Sequence, residues 1–279
     1  MKHQTKKIIR LALIYIALST IAFVAIFPYV WMVLTSFKTR VDAFAIPPVW
    51  FFKPGVGHYL EVFVRKGFSQ NLLNSLIISL STTALSLIVG VPSAYAFARY
   101  KLYGDHHMFF FILTTRMAPP ITIALPLYIL MARVGVLNTH FSVIIAHTTF
   151  NLALVVWLMR GFFRMIPREI EEAALIDGCS TFRVFSEISL PLSSGGLAAT
   201  AIFCIIMSWN EFLFAMILGG HQAATLTMAV PGLVTTRGTF WGQIAAVGTV
   251  TTIPILIFSL LVQKHLIRGL TFGAIEGYQ

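Results

Sequence analysis

The sequence predicts an all-α membrane protein: a bundle of six transmembrane helices with one additional helix in a cytoplasmic loop. Of its 279 residues, 57% are hydrophobic and 11% are charged, and the mean hydropathy of +0.84 lies far above that of soluble domains. The apolar residues form six long segments, and a helix needs roughly 20 such residues to cross ~30 Å of hydrocarbon. The short alternating segments typical of transmembrane β-barrels do not occur in the sequence.

The first apolar segment is predicted to be a retained helix, although a secretory signal also begins with basic residues. It follows the basic segment KHQTKKIIR and continues past Trp31, whereas the apolar stretch of a signal is only about 7 to 15 residues long. By the positive-inside rule, the basic segment holds the amino terminus in the cytoplasm. Six crossings then place the carboxyl terminus on the same side.

The domain boundaries follow from the apolar segments. The predicted spans are 10–35, 71–98, 107–131, 139–160, 194–218 and 242–265. They define a cytoplasmic tail at 1–9, a transmembrane domain at 10–267 and a cytoplasmic tail at 268–279. The main loops are a cytoplasmic loop at 161–192 and outer loops at 36–70 and 219–241.

The basic residues agree with this topology apart from those of one loop. The inner side carries Arg99, Lys101, Arg160, Arg164, Arg168, Arg183, Lys264 and Arg268. The exception is the long first outer loop, which contains Lys38, Arg40, Lys53, Arg65 and Lys66. Long segments can cross the membrane in spite of their charge. Topology therefore explains much of the net charge of +10, and we expect no nucleic-acid partner.

Several common catalytic and cofactor motifs are missing from the sequence. There is no G-x-x-x-x-G-K-[ST] phosphate loop, no H-E-x-x-H motif and no G-x-S-x-G motif. Cys179 and Cys204 lack the spacing of a metal or haem site and imply no disulfide framework. We therefore expect neither catalytic residues nor a bound cofactor or metal in this chain, and uphill transport would require ion coupling or a separate motor.

A short helix is predicted within the cytoplasmic loop 161–192. Pro167 suits the first helical position, and Glu169, Glu171 and Glu172 lie in the first turns, where the helix dipole favours anions. Alanine and leucine follow, and Gly178 marks the stop. The alanine-lined side of this helix would let another protein surface approach closely, which suggests a docking element.

This loop resembles the EAA loop of permeases in binding-protein-dependent ABC importers. The matching positions are Glu172-Ala173-Ala174, Gly178, Ile188 and Leu190-Pro191, all at the family spacing. The carboxyl-terminal segment RGLT-x-GA resembles the carbohydrate subfamily, which includes the smaller permease subunit of maltose transporters. The resemblance implies a type I, MetI-like fold in the bacterial cytoplasmic (inner) membrane, with the helix of the loop acting as the coupling helix.

The resemblance also implies the partners and the docking residues. The partners would be a second homologous permease in a heterodimer, two cytoplasmic ATPase subunits that bind ATP and Mg²⁺, and an external solute-binding protein. This chain would then be a transport subunit without its own ATPase site. The implied docking residues are Glu171, Glu172, Ala173, Ala174, Asp177, Gly178, Ile188, Leu190 and Pro191. Glu172 and Asp177 are the expected polar contacts with the ATPase.

Polar residues at membrane depth predict the translocation pathway, because such groups normally face a bundle interior. The predicted pathway residues are Arg116, Asn151, Trp209, Asn210 and Glu211. Arg116 lies near three prolines that would interrupt the third span, and we expect it to pair with Glu211. A proton or ion relay through Arg116 and Glu211, as in a secondary transporter, is the alternative function. That alternative gives the EAA loop no role.

The second outer loop and the substrate complete the predictions. By resemblance, Thr235, Thr236 and Arg237 would form the tip of a loop that contacts the binding protein, although an ordinary surface loop would have a similar sequence. The predicted substrate is a sugar, and a polyol, glycerol phosphate or an acidic or sulfonated sugar would also fit. Phe212 and Phe214 could contact it, but packing or lipid contact is the commoner role of such residues.

Overall fold

The structure, a computed structural model, describes residues 2–101, 103–236 and 238–275. Most of these residues are helical. The α-helices are α1 (Lys2–Phe37), α2 (Arg40–Phe44), α3 (Gly57–Tyr59), α4 (Phe68–Arg99), α5 (Asp105–Thr114), α6 (Pro120–Val134), α7 (His140–Arg164), α8 (Arg168–Ile176), α9 (Thr181–Arg183), α10 (Leu190–Leu192), α11 (Ser194–Trp209), α12 (Leu213–Leu218), α13 (Leu226–Ala229) and α14 (Trp241–Ile275). The other elements are π-helical turns at Leu60–Arg65 and Val184–Ser189, a 3₁₀ turn at Val230–Leu233, and strands β1 (Val234–Thr235) and β2 (Gly238–Thr239).

Four of the described helices are long and apolar enough to cross a membrane by length and composition. They are Ile9–Phe37 within α1, α4, α7, and Trp241–Leu261 within α14. A fifth candidate is a bent pair, Thr181–Leu192 and Ser194–Trp209, whose two parts meet at 78°. The chain is therefore a multi-pass helical membrane protein, and the full count of six spans stays a prediction.

The predicted third and fifth spans are each divided in two. Where the sequence predicts a span at 107–131, α5 ends at Thr114 and α6 begins at Pro120. Proline suits the first position of α6, because its missing N–H has no helical partner there. The predicted fifth span, 194–218, contains α11 and α12 with Asn210 to Phe212 between them. Both breaks expose backbone groups that a continuous helix would satisfy.

The chain folds into two compact units, and the first combines the residues up to Phe68 with Val230–Ile253. Polar contacts link its distant segments. The hydroxyls of Ser36 and Tyr59 lie 2.7 Å apart, and Lys66 Nζ donates to Gln243 Oε1 at 2.7 Å. Lys38, a cation of the predicted first outer loop, is only 2% exposed, and its ammonium group lies over the Trp31 ring, 4.3 Å from its centroid.

The second unit contains Ser69–Ala229 and the residues from Pro254 onward. Its first apolar cluster joins α4, α7 and α11 and includes Tyr95, Phe163 and Ile166, the last two of which belong to the loop 161–192. Its second cluster joins α4, α6, α7 and α12 around Phe214. Glycine allows close packing here, since a Cβ at Gly90 would lie only 2.7 Å from Val155 Cγ1. These clusters position the two sites described below.

Candidate functional site

The helix of the EAA loop ends where the sequence predicts. α8 runs from Arg168 to Ile176, directly after Pro167. Gly178 has a φ of +87°, a left-handed conformation that glycine adopts without the steric cost of a Cβ. The reversal lets Cys179 N donate to Ala174 O at 3.0 Å, which satisfies a helix-end carbonyl. The predicted helix stop at Gly178 agrees with the structure.

Glu171 points into the protein, so its predicted role as a direct docking contact is wrong. Its side chain is 8% exposed, and Arg99 Nε of α4 lies 2.7 Å from its Oε2. Ser189 Oγ donates to Oε1 at 2.6 Å, and Tyr95 Oη donates to Oε2 at 3.4 Å. Burial is tolerated because the carboxylate has a cationic partner and hydroxyl donors. Glu171 thus attaches α8 to the end of α4.

The remaining EAA residues divide into an exposed group and an anchoring group. Glu172, Ala173, Asp177 and Gly178 are exposed, and Ala174 is half-buried. Ile176 projects furthest, with 86% of its surface exposed. Ile188 is half-buried, Leu190 packs against the first apolar cluster, and the exposed Pro191 lies in the single turn α10. A protein surface could therefore reach α8, while Leu190 anchors the following segment to the spans.

Glu211 occupies the break between α11 and α12, where its carboxylate is fully engaged. Phe214 N donates to Oε2 at 3.0 Å and Ala215 N donates to the same atom at 3.2 Å. These N–H groups belong to the first turn of α12 and have no partner within the helix, so Glu211 acts as a helix cap. His147 Nε2 lies 3.0 Å from Oε2. An ionised carboxylate can only accept, and this nitrogen is therefore the donor.

The partner of Glu211 is His147, and the predicted ion pair with Arg116 is wrong. His147 is fully buried, and its Nδ1 lies 2.7 Å from Ser208 Oγ on α11. Among the described residues, the hydrogen-bond partner of the Arg116 guanidinium is the sulfur of Met207, at 3.6 Å. Thioether sulfur is a weak acceptor, so Arg116 keeps a positive charge that no carboxylate of the described chain neutralises.

Arg116 and Glu211 nevertheless line the same cavity, of about 440 Å³. Its wall is formed by Thr115, Arg116, Ala118, Pro120, Ile123, Thr149, Phe150, Met207, Glu211 and Phe214. Arg116 lies in the break between α5 and α6, and Glu211 lies in the break between α11 and α12. Two interrupted helices thus meet at one cavity, which is where membrane transporters tolerate irregular backbone.

The other predicted pathway residues lie outside this wall. Asn151 is buried, and its amide donates to Cys204 O at 3.2 Å. Trp209 is 2% exposed and belongs to the packing of α11. Asn210 is exposed and donates from Nδ2 to Ile206 O at 2.8 Å, at the end of the same helix. Their side chains serve helix packing and helix ends, which polarity and depth in the sequence do not reveal.

The predicted binding-protein loop contains a small hairpin. β1 pairs with β2 in antiparallel register, with Thr235 opposite Gly238, and Thr235 Oγ1 donates to Gly238 O at 3.0 Å. Thr236 lies in the turn and is exposed. Arg237 lies outside the described residues. The turn with its threonines is thus available to a partner surface.

Sequence reasoning missed the residues that hold the two glutamates. His147 and Ser208 hold Glu211, and Arg99 with Ser189 holds Glu171. Arg99 directly follows the second predicted span, and this position at the span end was the available signal in the sequence. No group of three or more His, Cys, Asp or Glu side chains within residues 2–101, 103–236 and 238–275 is arranged to hold a metal ion.

Comparison with known proteins identifies the family. Residues 86–272 match the family described as "Binding-protein-dependent transport system inner membrane component". The chain is 37% identical over 256 residues to a probable ABC transporter permease protein of Sinorhizobium fredii, with 92% of each chain covered. It is 30% identical over 276 residues to the trehalose/maltose transport system permease protein of Thermococcus litoralis, with 98% of this chain and 99% of the relative covered.

A solved structure shows the same fold. The match is a chain of a bacterial ABC transporter involved in the import of the acidic polysaccharide alginate. The TM-score is 0.74 at 22% identity, with 91% of this chain and 95% of that chain covered. The comparisons give no support to an ion-coupled secondary transporter. The chain belongs to the family of inner-membrane components of binding-protein-dependent transport systems.

Proposed function

We propose that this chain is one of two permease subunits of an ABC importer for a sugar or sugar derivative. Family membership supports the transport role, and the trehalose/maltose relative supports a carbohydrate substrate. The chain spans the bacterial inner membrane with both termini in the cytoplasm. It has no ATPase site of its own, and two separate ATPase subunits bind ATP and Mg²⁺ for the complex.

The arrangement of α8 is the observation that carries this proposal. Glu172, Ala173 and Asp177 are exposed, while the buried pair of Glu171 and Arg99 attaches the same helix to α4. A surface that grips the exposed side of α8 would therefore move the end of α4 with it. Closure of the ATPase subunits on ATP would be transmitted to the spans through this contact, because packed elements move as rigid bodies.

The cavity between the broken helices is the proposed part of the pathway within this chain. Arg116 and Glu211 line this cavity. We assign Asn151, Trp209 and Asn210 to helix packing and helix ends outside the cavity wall. The hairpin with Thr235 and Thr236 faces the external solute-binding protein in this arrangement. A second, homologous permease supplies the other half of the pathway.

Uptake measured with two inhibitors tests the energy source. The complete importer, with its binding protein, is reconstituted in proteoliposomes, and uptake of trehalose, maltose and other labelled sugars is followed. ATP-dependent uptake that vanadate blocks and a protonophore leaves unchanged supports the proposal. Uptake that requires an ion gradient and persists without ATP would overturn it.

A further inference from the structure

We propose that the cavity of this subunit binds an anionic group of the transported sugar through Arg116. This inference rests on the proposed function and assigns a substrate class to it: a sugar that carries a carboxylate, sulfonate or phosphate. The site lies entirely within the second compact unit. Its wall contains Arg116 and Glu211, two threonines, two phenylalanines and several apolar side chains around the two helix breaks.

The first argument is the charge of Arg116. A guanidinium is ionised at every physiological pH and offers five donors in a planar fork. Its described hydrogen-bond partner is the sulfur of Met207 at 3.6 Å, so most of these donors have no partner among the described residues, and the exposed side chain lines the cavity. Arg116 lies in the predicted third span, and ionised groups within membrane segments are normally paired. A carboxylate, sulfonate or phosphate matches the guanidinium in both charge and geometry.

The second argument is that Glu211 does not compensate this charge. Its Oε2 atom faces His147 Nε2 and the backbone donors Phe214 N and Ala215 N. Only 14% of its side chain is exposed. The carboxylate lines the cavity but is hydrogen-bonded to its own helix cap and to His147, and it forms no ion pair with Arg116.

The third argument is that the rest of the wall suits a sugar ring. The half-buried ring of Phe150 stacks on the buried ring of Phe214, with centroids 6.1 Å apart and 19° between the planes, so Phe150 can cover the C–H face of a pyranose. Thr115 and Thr149 donate to their own helix carbonyls at 2.6 and 2.7 Å, so their oxygens remain available to accept from sugar hydroxyls. The volume of about 440 Å³ lies within the usual range for small-molecule sites.

Charge-selective labelling of a cavity thiol tests the proposal. The complete importer carries Cys179→Ser, Cys204→Ala and Thr149→Cys and is held in phosphatidylcholine nanodiscs. The thiol is modified with an anionic sulfonatoethyl or a cationic trimethylammonium-ethyl methanethiosulfonate. We expect Arg116→Gln to lower the ratio of the anionic to the cationic labelling rate about fivefold. Arg116→Lys should retain most of this ratio. Arg133→Gln, a distant control, should leave the ratio unchanged.

Protection of the same thiol identifies the occupant. With Arg116 present, D-glucuronate should slow labelling about tenfold more effectively than D-glucose, as expected for a hydrogen-bonded charge. Arg116→Gln should remove that difference. Equal protection by the two sugars, or a labelling ratio unaffected by Arg116→Gln, would overturn the proposal. Protection by inorganic sulfate equal to that by glucuronate, or by phosphatidylglycerol alone, would refute the sugar assignment in favour of a bare anion or a lipid headgroup.

These outcomes are independent of the test of the importer. Vanadate-sensitive uptake together with an unselective cavity would refute the anionic sugar and leave the importer standing. Ion-driven uptake together with a selective cavity would refute the ABC importer and show that the anion site serves another transporter.

Discussion

Arg99 at the end of α4 and Glu171 on α8 form an ion pair, with Nε 2.7 Å from Oε2 and with side chains only 7% and 8% exposed. The two residues lie far apart in the sequence, and their contact fixes the EAA loop to a candidate membrane span. Arg99 also donates from Nη2 to Ile166 O at 2.9 Å, so the same guanidinium holds the chain before α8 as well. In the proposed importer, movement of α8 would reach α4 through this pair.

Breaking the pair should destabilise the loop and uncouple transport. We expect Glu171→Gln or Arg99→Ala to cost about 3–5 kcal/mol of local stability, because each leaves an unpaired buried partner. ATP hydrolysis should then continue with little uptake, as measured in proteoliposomes. The control Glu169→Gln changes an exposed acid of the same helix and should behave as wild type. Normal coupling in both pair variants would show that the contact does not transmit movement.

Gly178 should tolerate asparagine better than β-branched residues. A Cβ at this position would meet nothing within 4 Å, so the cost of substitution comes from the left-handed backbone, about 1–2 kcal/mol for an L-residue. Gly178→Val should therefore reduce ATPase co-purification more than Gly178→Asn. Gly161→Ala is the control, since its Cβ also meets nothing and its φ is not positive. Full co-purification of Gly178→Val would contradict the proposed role of the turn.

His147 should contribute more to the stability of the Glu211 site than Arg116 does. His147→Ala removes the buried donor to Glu211 and the partner of Ser208, which should cost about 1–3 kcal/mol. The melting temperature of the purified complex measures the loss, and Arg116→Ala is the comparison. We also expect charge reversal at both Arg116 and Glu211 to give no rescue over the single reversals. Rescue by the double reversal would instead support an ion pair between Arg116 and Glu211, which the structure contradicts.

Two adjacent glycines of α11 should respond differently to alanine. A Cβ at Gly196 would collide with the Phe162 ring, while one at Gly195 would meet nothing within 4 Å. Gly196→Ala should cost roughly 1–3 kcal/mol through overpacking. Gly195→Ala should be neutral or slightly stabilising, because alanine is the better helix former. Thermal unfolding of the two variants in the same detergent separates the effects, and equal melting temperatures would argue against the packing of α11 on α7.

The EAA helix and its stop could be predicted because their signals are local. Pro167, the acidic first turns and Gly178 each act on the backbone within a few residues. Which of the three glutamates points inward could not be predicted, since Arg99 and Ser189 select Glu171 through tertiary contacts. The helix break at Pro119 and Pro120 could be predicted because proline interrupts a helix. The partner of Arg116, which lies in that break, could not be predicted from the prolines.

The environment of Glu211 shows the limit of single-sequence reasoning at membrane depth. Hydropathy identified Glu211 and Arg116 as ionisable groups in apolar segments, and pairing the two was the simplest hypothesis. The imidazole of His147 and the first turn of α12 hold the carboxylate instead. The sequence does not show which residue a histidine in an apolar segment will contact. Hydropathy also does not show that a new helix begins inside a predicted span.

Crosslinking from α8 tests the central claim most directly. The complete importer carries Cys179→Ser and Cys204→Ala with Ala173→Cys, and a benzophenone maleimide is attached before photolysis. We predict a crosslinked product with the ATPase subunit. Mass spectrometry identifies the crosslinked protein as the ATPase by its phosphate-loop peptide. The same reagent at Val41→Cys, an exposed site in the predicted first outer loop, should give none. No ATPase product from Ala173→Cys, or equal yields from both sites, would contradict the assignment of α8 as the coupling helix.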